Sequence, residues 1–282
     1  MDAFNDLFLE LFKPVAPHMV RNKIPNQQVF IIVRKESVRQ VIHSYKITYF
    51  YAVNTFIATI QDTAALLTPE ESWHCAKVLR KKNGEKIHLI DGNGNFYEGE
   101  LISVTEKQCT AKVTAGPIIQ KKKNYALHLA IAPTKQIDRI EWMIEKAVEI
   151  GIDEISFIHC KNSERTAVKT ERIQKIVESA VKQSLQAFIP KVNALIPFKE
   201  LLKLENDQKW IAHCFNTPKQ SIKLIDFKNK STLVLIGPEG DFTMEEVKLA
   251  EISGFQSLDL GENRLRSETA GLYVCQAISI LT

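Results

Sequence analysis

A chain of 282 residues is long enough for one large domain or two ordinary ones, each with its own hydrophobic core. With 45% hydrophobic and 25% charged residues, the composition is that of a globular protein and excludes an intrinsically disordered one. The formal net charge is +4, and residues 1–47 alone supply +3 of it through seven Lys/Arg against four Asp/Glu. Binding of a polyanion therefore depends on local basic patches rather than on the charge of the whole protein.

The cysteines and the apolar runs predict the cellular compartment. Five cysteines are widely spaced and include no Cys-x-x-Cys pair, which predicts a reducing compartment and no metal site. No stretch approaches the ~20 apolar residues of a membrane span. The N-terminus reads MDAFNDLFLELF, and it lacks the basic region and long apolar core of a secretory signal. We therefore expect a cytoplasmic protein that does not associate with a membrane.

Residues 1–47 differ in composition from the rest of the chain. Apolar residues at helical spacing predict a short amphipathic helix near the N-terminus, and Pro14, Pro17 and Pro25 follow it. The run VFIIV at 29–33 has the composition of a strand. We interpret 1–47 as an accessory extension.

Residues 48–117 have the pattern of a small β-barrel. Short apolar runs alternate with turns, and Asp91-Gly92-Asn93-Gly94 is a strong hairpin signal. One helix is predicted over 69–80, where Pro69 suits the first turn. Several short strands within about 70 residues are typical of a small barrel.

The remainder of the chain alternates between strands and helices. Gly116-Pro117 and the following Lys121–Lys123 are interpreted as a linker. Beyond it, strands are predicted at 125–133, 154–160, 209–215, 232–237 and 256–261, and helices at 137–151, 170–185, 243–253 and 267–281. Thr243 and Glu246 are spaced as a capping box. This alternation predicts a mostly parallel sheet covered on both faces.

Two glycine-containing loops follow predicted strands. Residues 233–242 read LVLIGPEGDF, and residues 258–270 read LDLGENRLRSETA. In open α/β sheets, ligands bind beyond the carboxyl ends of the strands, and glycine lets them approach the backbone closely. Neither loop has the phosphate-binding or dinucleotide-binding glycine pattern, which disfavours a nucleotide hydrolase. Either loop alone is also compatible with an ordinary β-to-α turn.

Together these two loops resemble the cofactor signature of SPOUT-class methyltransferases, most closely the RsmE-type enzymes. Three further segments resemble the same enzymes in the same order, and the similarity extends over 48–282. WHCAKVLRKKNGEKIHLIDGNG resembles their PUA-like RNA-binding barrel, and TKQIDRIEWMIEKAVEIGIDEI and SERTAVKTERIQKIVESAVKQS resemble their first two crossovers. Residues 1–47 have no recognised counterpart. Two positions depart from the family pattern: Asp241 stands where a glycine is usual, and Asn263-Arg264-Leu265-Arg266 stands where Arg-Ile-Leu-Arg is common.

The resemblance implies a fold and a cofactor. The fold is α/β: a PUA-like β-barrel over 48–117, then a SPOUT domain over 118–282 with a mostly parallel sheet and a deep trefoil knot. The knot would bring both loops together around S-adenosyl-L-methionine, in a homodimer whose second subunit completes the pocket. The implied cofactor-binding residues are Leu235, Ile236, Gly237, Pro238, Glu239, Gly240, Leu260, Gly261, Leu265, Arg266 and Thr269.

The resemblance also implies a reaction, methylation of N3 of a uridine in 16S ribosomal RNA, with the assembled small subunit rather than DNA as the partner. The base has to be unpaired and to lose its N3 proton. Arg266 is the candidate catalytic residue, because a positive charge favours the uracil anion; pairing with Glu268 or Glu239 is its alternative role. Glu268 is interpreted mainly as a capping or bracing group at a helix start. Arg80, Lys135 and Arg165 are the candidate RNA-binding residues.

Two other readings stay open. One is a different SPOUT methyltransferase that acts on tRNA or on a ribose 2′-hydroxyl. The other is a ribosome-assembly factor that has kept the barrel but lost methyl transfer, although the intact cofactor signature disfavours it.

Overall fold

Five strands close into a barrel at the start of the part of the chain that the computed structural model describes, residues 54–282. They run in the order β1-β2-β5-β4-β3, and their core contains Phe56, Leu89 and Leu101. The predictions for residues 1–47 lie outside the described residues. The strands are β1 (Thr55–Gln61), β2 (Ala64–Leu67), β3 (Lys86–Ile90), β4 (Asn95–Val104) and β5 (Cys109–Ile119).

The predicted barrel helix is confirmed, and the predicted linker is partly wrong. Helix α1 (Pro69–Trp73) has Pro69 in its first turn and continues as a π-helical turn to Val78. Gly116-Pro117, however, lies inside β5 rather than in a linker. The β4–β5 register shifts at this point, between Phe96 and Glu98, and such a bulge is a place where a strand accommodates proline. Residues 120–125 connect the barrel to the next strand.

Seven strands then form a sheet in which every neighbouring pair is parallel, so the predicted mostly parallel sheet is confirmed. Their order is β10-β12-β9-β11-β6-β7-β8. Two of them, β8 and β10, were not predicted. The strands are β6 (Ala126–Ile131), β7 (Glu154–His159), β8 (Lys191–Pro197), β9 (Gln208–Ala212), β10 (Gln220–Ser221), β11 (Ser231–Ile236) and β12 (Gln256–Asp259).

Helices cover both faces of this sheet. Leu129 packs in one core cluster with Met143 and Val274, whereas its neighbour Ala130 packs in a second cluster with Val247, because alternate strand residues face opposite sides. The helices are α2 (Ile137–Ile150), α3 (Thr170–Gln183), α4 (Phe198–Leu201), α5 (Met244–Ile252) and α6 (Ser267–Leu281). The predicted capping box at the start of α5 is confirmed. In the described part of the chain, no helix is both long and apolar enough to cross a membrane.

The turn at the tip of the barrel docks on the sheet domain. Gly94 N–H donates to Ala187 O at 3.0 Å, and Ile189 N–H donates to Gly92 O at 3.0 Å. A Cβ at Gly94 would stand 2.2 Å from the ring of Phe188, so only glycine allows this approach. The glycines of the predicted hairpin therefore attach the barrel to the sheet domain as well as turning the chain.

Two ion pairs join α1 to α3 beside this contact. Lys182 pairs with Glu71, whose side chain is 5% exposed, and Lys175 pairs with Glu70 on the surface. Burial raises the pKa of Glu71, and Lys182 opposes that shift. The buried pair should therefore matter more for stability than the exposed one.

Lys182→Met should lower the free energy of unfolding by about 2 kcal/mol. The estimate is below the roughly 3–5 kcal/mol typical of a fully buried pair, because Lys182 is itself a quarter exposed. Lys175→Met is the matched control on the same helix and should cost less than about 1 kcal/mol. Denaturant unfolding at pH 7 measures both, and the cost of Lys182→Met should shrink as the pH falls and Glu71 becomes protonated. Equal costs for the two variants would show that the buried pair has no special role.

Candidate active site

Three adjacent strands end at one cavity of about 760 Å³. Ala212 at the end of β9 pairs with Ile236 of β11 on one side and with Leu258 of β12 on the other. The loops that follow these strands therefore leave the same edge of the sheet at the same level. Together with the start of α6 they form the cavity wall, at the place where open α/β sheets bind ligands.

The 237–242 loop is held by the side chain of Ser267 and by that of its own Asp241. The hydroxyl of Ser267, the first residue of α6, donates to Gly237 O at 2.8 Å. Asp241 Oδ2 accepts from Cys214 N–H in the loop after β9, and its Oδ1 accepts from Phe242 N–H, both at 2.8 Å. Asp241 has φ +63°, a conformation that glycine adopts freely and aspartate tolerates. The departure from glycine at 241 therefore preserves the backbone and adds two hydrogen bonds.

The 260–266 loop brings two arginines to the cavity. Gly261 has φ +115°, and Arg264 and Arg266 follow it as exposed lining residues. Neither guanidinium forms an ion pair with any residue in 54–282. The alternative role of Arg266, pairing with Glu268 or Glu239, is therefore not seen there: Glu268 Oε1 lies 3.9 Å from Arg139 Nη1, and Glu239 Oε1 accepts from the backbone N–H of Lys135 at 3.0 Å.

Glu268 is the most buried acid in the cavity wall. It stands in the first turn of α6, where the helix dipole favours a carboxylate, but α6 has no side-chain cap from the described residues. The residue is 7% exposed, and its Oε2 is buried without a hydrogen-bond partner in 54–282. Glu239, Asp241, Asp259 and Glu262 also line the cavity. This carboxylate set suits a ligand that carries positive charge.

The loop after β9 supplies cavity residues that the sequence reading did not single out. His213 is 7% exposed, and its Nε2 lies 2.9 Å from the hydroxyl of Ser257. Burial lowers the pKa of His213, Lys219 adds to that shift, and Asp241 and Glu251 oppose it. Cys214 lines the cavity beside it, and burial followed by Asp241 raises the pKa of its thiol. The available signal was a His-Cys pair near the end of the strand predicted at 209–215, which in the structure ends at Ala212.

Comparison with known proteins identifies the family. The model of an RNA methyltransferase domain matches residues 121–279, and the model of an RNA methyltransferase PUA domain matches residues 67–114. The chain is 37% identical over 203 residues to the ribosomal RNA small subunit methyltransferase E of Mesomycoplasma hyopneumoniae, covering 70% of this chain and 86% of that protein. The chain belongs to the ribosomal RNA small subunit methyltransferase E family.

Solved structures agree with the family assignment. A probable rRNA-methyltransferase from Porphyromonas gingivalis superposes with a TM-score of 0.72 at 38% identity, covering 81% of this chain and 98% of that one. The small subunit methyltransferase E of Neisseria gonorrhoeae, bound to S-adenosyl methionine, superposes with a TM-score of 0.71 at 26% identity and the same coverage. The PUA-like barrel and the sheet domain predicted from the sequence are therefore those of the methyltransferase E family.

Most of the cofactor-binding residues predicted for this methyltransferase E family member lie in the cavity wall, and their role stays a prediction. Three of the eleven do not line the cavity. Leu235 is buried and precedes the lining residue Ile236, Gly240 packs on Asn162, and Thr269 is exposed on the first turn of α6. The lining residues are Ile236, Gly237, Pro238, Glu239, Leu260, Gly261, Leu265 and Arg266.

The three predicted RNA-binding residues lie outside the cavity wall, and two of them are neighbours. Arg165 Nη2–H donates to Lys135 O at 2.6 Å, and Arg165 Nε–H donates to Thr134 O at 3.1 Å. The N–H of Lys135 in turn contacts Glu239 of the 237–242 loop. Arg80 is exposed on the barrel, after the π-helical turn.

Proposed function

We propose that the protein methylates N3 of a uridine in 16S ribosomal RNA with S-adenosyl-L-methionine, acting in the cytoplasm on the assembled small subunit. The observation that carries the proposal is the convergence of the 237–242 and 260–266 loops on one cavity, in a chain of the methyltransferase E family. The relative from Neisseria gonorrhoeae binds the same cofactor.

The cavity fits this cofactor. Its volume of about 760 Å³ lies within the roughly 300–1,000 Å³ of small-molecule sites. Gly237 and Gly261 expose backbone to it, and the Oε2 of Glu268, unpartnered within the described residues, suits a cationic group. When bound, the cofactor supplies an electrophilic methyl group on a sulfonium sulfur. The residues of the 237–242 and 260–266 loops hold and align it for in-line displacement.

Arg266 has the position and charge for the catalytic role. Its guanidinium is free of ion pairs within the described residues and borders the cavity. A fixed positive charge beside the uracil lowers the pKa of N3 and favours the anion that attacks the methyl group. Arg266 is therefore assigned to the uracil, and Glu268 to the cationic group.

Arg80, Lys135 and Arg165 are proposed to contact the RNA. Lys135 and Arg165 form one basic site next to the 237–242 loop, although the Lys135 ammonium also lies 3.1 Å from Glu164. Arg80 lies exposed on the barrel with no ion pair to the described residues. The path of the RNA is therefore proposed to run from the barrel to the mouth of the cavity.

Arg80→Ala should weaken RNA binding without changing cofactor affinity. Loss of one phosphate contact releases one counterion fewer, so the slope of log K against log salt should fall by about 1. Arg172→Ala, which removes a surface arginine paired with Glu141, is the matched control and should leave that slope unchanged. Filter binding across a salt series measures both. A slope equal to that of the unmodified protein would remove Arg80 from the RNA path.

The proposal includes a homodimer and a knotted chain, both implied by the family resemblance. Trp142 on α2 and Ile280 on α6 are half or more exposed, and these two helices pack on each other. Sedimentation equilibrium tests the dimer. A monomer at micromolar concentration would contradict it.

Two measurements test the function itself. Calorimetry with S-adenosyl-L-methionine tests the cofactor, and mass mapping of nucleosides in 16S RNA and in tRNA from cells with and without the gene tests the target. If the protein binds the cofactor and cells without the gene lack a methyl group on a tRNA or on a ribose, the target is that of a different SPOUT methyltransferase. Absence of both cofactor binding and any missing methyl group would favour the assembly factor.

A further inference from the structure

A hydrogen-bonded chain of three side chains runs from the cavity wall into α5. His213 Nε2 lies 2.9 Å from Ser257 Oγ, and Ser257 Oγ lies 3.1 Å from Glu251 Oε1. His213 lines the cavity, Ser257 is on β12, and Glu251 is in the last turn of α5. No predicted cofactor- or RNA-binding residue belongs to this hydrogen-bonded chain.

The direction of these hydrogen bonds fixes the tautomer of His213. A serine hydroxyl has one proton, and an ionised carboxylate only accepts, so Ser257 donates to Glu251. The oxygen of Ser257 must then accept from His213, which places the ring proton on Nε2. Nδ1 of the neutral ring is left with a lone pair, as a hydrogen-bond acceptor.

That acceptor has no partner among the described residues. Nδ1 of His213 is buried and makes no hydrogen bond with any residue in 54–282. Leaving a buried polar atom unsatisfied is costly. Because His213 is one of the residues that line the cavity, a ligand seated there is the available source of a donor, and a small shift of the ring brings Nδ1 to it.

Burial favours the neutral form of the ring, and two nearby carboxylates leave it able to take up a proton. Burial and Lys219 hold the pKa of His213 below its usual value, and Asp241 and Glu251 resist that shift. A neutral imidazole at the working pH is the form that can accept a proton. The Ser257–Glu251 pair is placed to stabilise the imidazolium that would result.

We propose that His213 is the general base of the reaction, taking the N3 proton of the uracil on Nδ1, with Ser257 and Glu251 as positioning residues. This inference rests on the proposed function. It adds to the assignment of Arg266, since one residue receives the proton and the other stabilises the negative charge that remains.

The step balances. The N3–H bond breaks and its proton forms a bond with Nδ1 of His213. The N3 electron pair forms a bond to the methyl carbon, while the carbon–sulfur bond breaks and its electrons remain on sulfur, which becomes a neutral thioether. The imidazolium then releases its proton to solvent once the product has left the cavity. One methyl group is transferred, and one proton is released.

His213→Asn separates a base from a simple hydrogen-bond acceptor. Its side-chain oxygen can replace Nδ1 as an acceptor, but it does not take up a proton. Single-turnover methylation at pH 7 with saturating RNA should fall about 100-fold, the lower end of the usual effect of a general base. The rate of the unmodified protein should rise and then level off as the pH passes the pKa of His213. The rate of the variant should keep rising with pH.

His128→Asn is the matched control. His128 is 6% exposed, its Nε2 lies 2.7 Å from Ser156 Oγ, and it does not line the cavity. It therefore reports the effect of the same substitution at a buried His–Ser pair. Its single-turnover rate should stay within about 3-fold of the unmodified protein.

A readout that does not depend on activity tests the tautomer. In protein labelled with ¹⁵N-histidine, the signals of one of the seven imidazoles should be missing from the spectrum of His213→Asn, which assigns them to His213. In the unmodified protein, those signals should show the proton on Nε2. Ser257→Ala should shift those signals toward a mixture of tautomers, and Ser257→Thr, which keeps the hydroxyl, should restore them. A proton on Nδ1 in the unmodified protein overturns the proposal.

Calorimetry distinguishes the remaining outcomes. The cofactor affinity of His213→Asn should stay within about 3-fold of normal, and a loss as large as the loss in rate would make His213 a cofactor-binding residue instead. A normal single-turnover rate would remove it from the chemistry. If the unmodified protein binds cofactor but methylates no RNA, the proposed function fails first, and the base assignment fails with it.

Discussion

Replacement of Gly237 by valine should weaken binding of S-adenosyl-L-methionine by about 100-fold, or roughly 2.7 kcal/mol. Gly237 directly follows β11, is buried, and lines the cavity. A Cβ there would stand 3.0 Å from the ring of Phe242, so the branched side chain cannot turn inward and has to fill the cavity or displace the loop. Displacement would also break the hydrogen bond from Ser267 to the carbonyl of Gly237.

Gly99→Val is the control for crowding alone. A Cβ at Gly99 meets Leu89 at 2.8 Å in the barrel core, away from the cavity wall. Both variants should lose stability, and Gly237→Val alone should lose cofactor affinity. Calorimetry on the folded fraction of each measures the difference. Normal affinity in Gly237→Val would mean that the cofactor is not held by the 237–242 loop.

Arg266→Ala should lower the single-turnover rate with saturating RNA by about 100-fold, in the range seen when one group that stabilises a developing anion is removed. Without the guanidinium, the pKa of uracil N3 rises toward its value in water. Raising the pH should therefore restore part of the rate, because more of the base loses its proton unaided. Rate against pH measures both effects.

Arg266→Lys tests whether charge is the reason. It keeps the positive charge but not the planar donor group, so it should recover part of the rate at pH 7. Arg172→Ala again serves as the control outside the cavity. A normal rate for Arg266→Ala once RNA is saturating would reduce the residue to RNA binding or loop bracing.

The sequence predicted those elements whose signals are local. The start of α5 followed from the Thr243–Glu246 spacing, and the barrel helix from Pro69. Strand β8 was missed because it is only half buried and lies at the edge of the sheet, so its apolar run is weak. The predicted linker was placed too early because a proline usually interrupts a strand, and here a shift in the β4–β5 register accommodates it.

The candidate site divides in the same way. The 237–242 and 260–266 loops carry glycines at strand ends, and this pattern together with the family resemblance was sufficient to predict that they meet, as they do at one cavity. The His213 loop carries no glycine, and its position depends on β9 lying between β11 and β12. Strand order within a sheet is set by long-range packing, so neither spacing nor composition along the chain reveals it. Ser257 and Glu251 are 44 and 38 residues away from His213 in sequence, and only the folded sheet brings them together.

The Gly92–Gly94 turn, which docks on residues 187–189, fixes the position of the barrel relative to the sheet domain. Backbone hydrogen bonds at both ends of the contact, and a phenylalanine seated where a side chain would otherwise stand, leave the barrel little freedom to swing. The distance between Arg80 and the cavity mouth should therefore change little. An RNA that meets both points must present its phosphate and its exposed uridine at that spacing. We expect this fixed distance to favour RNA that is already folded, since a flexible strand would lose conformational entropy on adopting that spacing.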